Sequence, residues 1–211
     1  MHILAGMCGR YTNTAGPEEL NDRFRVPIPF SEGSRRYNVA PTEQVLAIVA
    51  PGRERSENAH EARLLRWGLV PHWAEDLKGS ATMINARMET VATRPAFRNL
   101  IPNSNRRALQ LADGYFEWLK PEHPRGAGAA PRQPFFFQVD GGIPFAFAAL
   151  WTPAKIDGEW IEPCTLRVGG EDALALCGAL DSSRLSARPA NPAVNKAGGA
   201  VEGPELLSAP A

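Results

Sequence analysis

At 211 residues the chain has the length of one ordinary domain with room for a real core, and its 23 Lys+Arg balance 23 Asp+Glu. Zero net charge excludes a broadly basic nucleic-acid-binding body, so any such site must be a local groove. Three cysteines (Cys8, Cys164, Cys177) in no ligand spacing point to neither a disulfide scaffold nor a zinc site. No apolar run approaches the roughly 18 residues of a membrane span, and the leader MHILAGM has no basic stretch of the signal-peptide kind.

In chain order, Pro17-Glu18-Glu19-Leu20 opens a short helix, with proline in the first turn and acids at the positive end of the dipole. Val45–Val49 and Leu64–Trp67 read as strands separated by a polar loop over 52–62. Residues 106–119 read as a strand broken by a turn at Asp113-Gly114, and 121–134 as a flexible connection. Phe135–Val139 and Phe145–Trp151 are two further strands, and the Asp140-Gly141-Gly142 between them is a hairpin signal. The core domain is therefore expected over 8–166, preceded by a removable leader, 1–7. Beyond it the composition changes. From Arg167 to Ala211 there is no aromatic residue and no histidine, and 20 of 45 residues are Ala, Gly or Pro. Apart from a helical turn at Leu174–Leu180, that tail is expected to be disordered and separate from the domain.

Cys8 follows an internal methionine, Met7. If the chain starts at Met7 or loses residues 1–7, Cys8 carries a free α-amine beside its thiol, with pKa values of roughly 8 and 8.5. The amine condenses with an aldehyde to an imine, and the thiol then closes a five-membered thiazolidine. The thiolate is equally an ordinary nucleophile for a carbonyl. On position alone a small buried hydrophobe is the commoner fate of a free cysteine.

Six blocks then recur in order: Cys8-Gly9-Arg10-Tyr11, Tyr37-Asn38-Val39-Ala40-Pro41-Thr42, Arg66-Trp67-Gly68-Leu69-Val70-Pro71, Ile84 to Thr90 (INARMET), Ala112 to Trp118 (ADGYFEW) and Phe145 to Trp151 (FAFAALW). Together they resemble the SRAP (SOS response-associated peptidase) family. The resemblance implies an α+β, mainly-β domain with short helices and a DNA-binding groove. It also implies a sensor of abasic sites in single-stranded DNA within the DNA damage (SOS) response, needing no metal or organic cofactor; the cysteine usage points to a cytoplasmic setting, and a monomer is expected. The family's N-terminal cysteine forms a thiazolidine with the ring-opened sugar, and the family is credited with cutting its own leader.

By the same resemblance Cys8, Asn85 and Glu117 form the catalytic set. Asn85 brings two donors and an acceptor for a sugar hydroxyl, a phosphate or the Cys8 amine, although a turn or strand-end cap accounts for it equally well. Glu117 lies between Phe116 and Trp118, where burial would raise its pKa and suit it to proton shuttling. An outward-facing strand glutamate is the plain alternative. Arg10, Arg87 and Arg98 match phosphate-binding positions, Trp67 and Trp73 offer stacking faces, and Asn38 with Pro41 belongs to a loop beside the cysteine. Trp67 is as well suited to a core as to a platform.

The chain departs from the family in one place above all. A C-terminal His-x-Arg-Met-Pro block is expected after the strand begun by Cys164-Thr165-Leu166, and no histidine occurs after His123. Gln110-Leu111 is a smaller departure, standing where the family usually has an apolar residue and proline. The tail reads as an altered frame or an eroded end. Two rival functions follow: a single-stranded-DNA-binding relic without the chemistry, and a thiol autopeptidase without a DNA role.

Overall fold

In a computed structural model of the chain, residues 9–29, 35–50, 60–118, 132–168, 181–196 and 201–210 are described. Cys8 and the leader, the loop over 51–59, the connection over 119–131 and the turn expected at Leu174–Leu180 lie outside them. The fold is mainly β with a few short helices.

Among the described residues thirteen strands form a barrel, a covering sheet and a two-stranded hairpin. The strands are β1 (Tyr11–Asn13), β2 (Arg36–Val39), β3 (Gln44–Val49), β4 (Glu61–Trp67), β5 (Asn85–Arg87), β6 (Arg107–Ala112), β7 (Gly114–Trp118), β8 (Pro134–Val139), β9 (Phe145–Trp151), β10 (Ala154–Ile156), β11 (Glu159–Ile161), β12 (Pro163–Val168) and β13 (Leu185–Pro189). One sheet runs β4-β3-β6-β9-β12. Its last strand returns to pair with β4 at Pro163–Arg66 and Cys164–Trp67, which closes a barrel. Further along the same edge β12 pairs in parallel with β5, setting Leu166 against Asn85. The second sheet runs β13-β8-β7-β1-β2.

Alternation along the strands explains the layering. Val45, Ala47, Val49, Leu65, Ala108, Ala112, Phe147 and Leu166 share an apolar cluster that continues onto Tyr11, Val39, Tyr115 and Phe137 of the second sheet. Helix α1 (Pro17–Phe24) covers part of the barrel's outside through Leu20, which packs with Leu46, Ile48 and Leu111. It begins on Pro17 and ends where Arg25 turns left-handed (φ 56°). Helix α2 (Pro95–Arg98) is a single turn, seated by Phe97.

Three expectations change. The strands flanking Asp140-Gly141-Gly142 exist but do not pair with each other. β8 is bonded to β7 and β13, while β9 is bonded to β6 and β12, so that turn carries the chain from one sheet to the other. The break at Asp113 does the same between β6 and β7.

The third correction concerns the tail. Its described residues complete the domain: β13 pairs with β8 along five residues, from Leu185–Val139 to Pro189–Phe135. Ala190, Val194 and Leu206 are buried against Phe116 and Phe136 on the sheet's outer face. An edge strand needs main-chain donors and acceptors rather than large side chains, and the aromatic half of this core comes from β7 and β8.

Candidate active site and nucleic-acid groove

The chain that leads back to Cys8 is fixed by Asp113. Its carboxylate accepts from the Thr12 hydroxyl, the Thr14 N–H (2.5 Å) and hydroxyl (2.6 Å), and the Ala15 N–H (2.9 Å). β1 is thereby held between β7 and β2, with Tyr11 opposite Tyr115 and Thr12 opposite Gly114. The Phe116 N–H donates to the Arg10 carbonyl at 2.9 Å. Glu117 is the next residue of β7 after that bond, on the side of Arg10 that leads to Gly9. Gly114 admits no side chain, because a Cβ there would lie 2.3 Å from Cζ of Phe136.

Glu117 shares its face of β7 with Tyr115, is 2% exposed, and has no hydrogen-bond partner for Oε1 among the described residues. Burial pushes its carboxyl up to about 7 from the usual 4.5, only partly offset by the Trp118 N–H. At neutral pH such a group is present in both forms and can give or take a proton.

A second set of residues meets at a groove of about 460 Å³, where Trp73, Asn85, Arg87, Thr90 and Arg94 line the walls. Trp73 is 51% exposed, and its ring meets His72 edge-on. Arg94 joins Arg87 here, the one predicted arginine among the lining residues. Its place just before Pro95-Ala96-Phe97 was the only sequence cue to it. Arg98 follows it one helical turn later and is exposed.

The expectation for Trp67 is overturned. It is fully buried, so neither ring face is open to a base. Its ring packs edge-on against Tyr11 at 5.4 Å, and its Nε1–H donates to the Ile84 carbonyl at 3.0 Å. Trp67 thus braces the strand next to Arg10 against the residue preceding Asn85. Asn38 is also interior (1% exposed), accepting from Arg10 and donating to the C-terminal segment. Pro41 sits half-buried in the turn between β2 and β3, whose next residue, Thr42, donates to the Trp67 carbonyl. Burial lowers the pKa of Arg10, with Glu43 acting against it.

A larger cleft of about 760 Å³ lies at the barrel rim around Arg63, Arg106 and Trp151 and holds none of the predicted residues. Arg63 is ion-paired there with Glu61 and Glu162. Among the described residues no three His, Cys, Asp or Glu side chains gather as a metal site, and no helix is long and apolar enough to cross a membrane.

The comparisons with known proteins agree with one another. The family model described as SOS response associated peptidase (SRAP) matches residues 7–169. The abasic site processing protein YoaM of Bacillus subtilis is 35% identical over 69% of this chain and 59% of its own length. YoqW of the same organism is 32% identical over 76% of this chain and 67% of its own. YedK of Escherichia coli is 35% identical over 68% and 59%. The chain therefore spans about 59–67% of the length of these relatives. A crystal structure of a protein from Bacteroides thetaiotaomicron superposes with a TM-score of 0.73 at 17% identity, covering 97% of this chain and all of that one, and so supports the fold.

Proposed function

The chain belongs to the SOS response associated peptidase family, and we propose that it processes abasic sites in single-stranded DNA by covalent attachment through Cys8. The observation that carries this reading is the buried Glu117 carboxyl, poised near neutral pH on the strand that pairs with β1, which begins three residues after Cys8.

Once residues 1–7 are removed, the Cys8 amine attacks the aldehyde carbon of the ring-opened sugar. Protonated Glu117 donates to the resulting hydroxyl, which leaves as water and gives the imine. The Cys8 sulfur then adds to the imine carbon, its proton passes by way of the Glu117 carboxylate to nitrogen, and the thiazolidine closes. One water is released overall. Asn85 holds the sugar or its phosphate, Trp73 stacks on a neighbouring base, and Arg10, Arg87, Arg94 and Arg98 neutralise phosphates. Removal of the leader by the protein itself, with Cys8 as nucleophile, is the peptidase part of the same proposal.

A gel assay with an abasic single-stranded oligonucleotide tests it. The expected result is a denaturation-resistant adduct that is lost in Cys8→Ala and formed roughly 10²–10⁴-fold more slowly in Glu117→Gln. Binding without adduct would favour the relic, a reading that rests on the lack of histidine after His123. Peptide cleavage without either would favour the autopeptidase. The mass of the purified N-terminus decides the precondition, since retained residues 1–7 forbid the thiazolidine.

A further inference from the structure

Asn38 is too deeply buried to touch a nucleotide, yet it sits one hydrogen bond from a residue assigned to the strand. Its Oδ1 accepts from Nη1 of Arg10 at 3.2 Å. Its Nδ2 donates to the Lys196 carbonyl at 2.9 Å and reaches the Val201 carbonyl at 3.4 Å. Carbonyls only accept, so the amide has one workable orientation: NH2 toward the C-terminal segment and oxygen toward the guanidinium. The neighbouring residues of β2 hold the same segment, since Glu202 accepts from Arg36 Nε at 2.9 Å and from the Tyr37 N–H at 2.7 Å.

We propose that Asn38 is a positioning residue that aims the Arg10 guanidinium at a DNA phosphate while standing on the carbonyls of Lys196 and Val201. The proposal rests on the reading of Arg10 as a phosphate contact. An arginine side chain free to rotate loses several rotors' worth of entropy when it meets a phosphate, and a buried acceptor at one end removes that loss in advance. The choice of amide matters. Asparagine supplies an acceptor without a charge, so it orients the cation and adds nothing negative to the approach of a phosphate. Aspartate has the same shape, but its carboxylate would put a negative charge against Arg10 and turn an oxygen with nothing to donate toward the two carbonyls. The C-terminal segment thereby acquires a task beyond closing the sheet: it is the footing of the arginine two residues from Cys8.

Fluorescence anisotropy with an intact single-stranded oligonucleotide, titrated between low and moderate salt, tests this on Arg10→Ala, Asn38→Ala, Asn38→Asp and the Arg10→Ala/Asn38→Ala double variant, with a melting temperature for each. Arg10→Ala is expected to lower the slope of log K against log salt by about 0.7, the value for one phosphate on a single strand. Asn38→Ala is expected to weaken binding by a smaller factor, the double variant to bind no more weakly than Arg10→Ala, and Asn38→Asp to bind more weakly than Asn38→Ala. If Asn38→Ala folds poorly, Asn38→Ser keeps one donor and one acceptor and carries the same comparison. Additive losses in the double variant overturn the proposal, as does a lowered melting temperature with wild-type affinity and slope. An unchanged slope in Arg10→Ala overturns it at its root, and the adduct yield of that variant on abasic DNA then reports separately whether the Cys8 chemistry stands.

Discussion

Replacing Glu117 by glutamine exchanges a buried carboxyl for a neutral amide of nearly the same shape, and so isolates what the charge costs the fold. In the folded chain the group titrates at about 7, above its ordinary 4.5, because burial penalises the ionised form. A raised folded pKa means the proton is held more tightly in the folded state. The stabilisation this gives is complete below pH ~4.5 and is lost as pH climbs to and through about 7. The gap between the two values corresponds to about 3 kcal/mol when the group is ionised in both states. Between pH 5 and 8.5 the wild type should therefore lose about 2–3 kcal/mol that the Glu117→Gln protein keeps, or about 5–10 °C in Tm for a chain of this size. Urea or thermal unfolding of both proteins at four pH values across that window reads the difference directly. Parallel stability curves would refute the reasoning, because they would mean that a cation or water meets the carboxylate in the folded state.

Three other changes test how the site is held. Gly114→Ala drives a Cβ into the Phe136 ring and should cost about 1–3 kcal/mol or more, visible as a lower urea midpoint; an unchanged midpoint would mean β7 and β8 are not so closely packed. Trp67→Phe removes the N–H that holds the Ile84 carbonyl and should cost about 1–3 kcal/mol while weakening single-stranded DNA binding, whereas a platform role would weaken binding with stability intact. Leu206→Ala opens a void beside Phe116 and Phe136 and should cost about 2–4 kcal/mol by thermal melting; a loss below about 0.5 kcal/mol would return the C-terminal segment to the status of a loose tail.

What the sequence disclosed and what it withheld divide along one physical line. Local chemistry was legible. Pro17 and the acids after it marked α1, the β-branched run at Val45–Val49 marked β3, and Glu117 between two aromatic residues already suggested a carboxylate taken out of water. Pairing was not legible, because a strand's partner is set by closure of the whole sheet. Asp140-Gly141-Gly142 has every local property of a hairpin turn, yet β8 and β9 find their partners in different sheets. Trp67 shows the same limit at a single residue. An indole between Arg66 and Gly68 suits a stacking face or a core equally well, and only the approach of Tyr11 and Ile84 from distant parts of the chain selects the core.

The C-terminal segment carries this furthest. Composition argued that residues so poor in aromatics could not build a core, and that argument treats a core as something each segment must supply for itself. Here the rings belong to Phe116 and Phe136, and the segment contributes Ala190, Val194 and Leu206, a strand's worth of main-chain bonds, two carbonyls for Asn38 and the Glu202 carboxylate for Arg36 and Tyr37. Closing a sheet asks only for main-chain groups and a few apolar contacts, whereas catalysis asks for one particular side chain at one point. A segment without histidine or any aromatic residue can meet the first demand in full, so its composition is no argument against the fold that it completes.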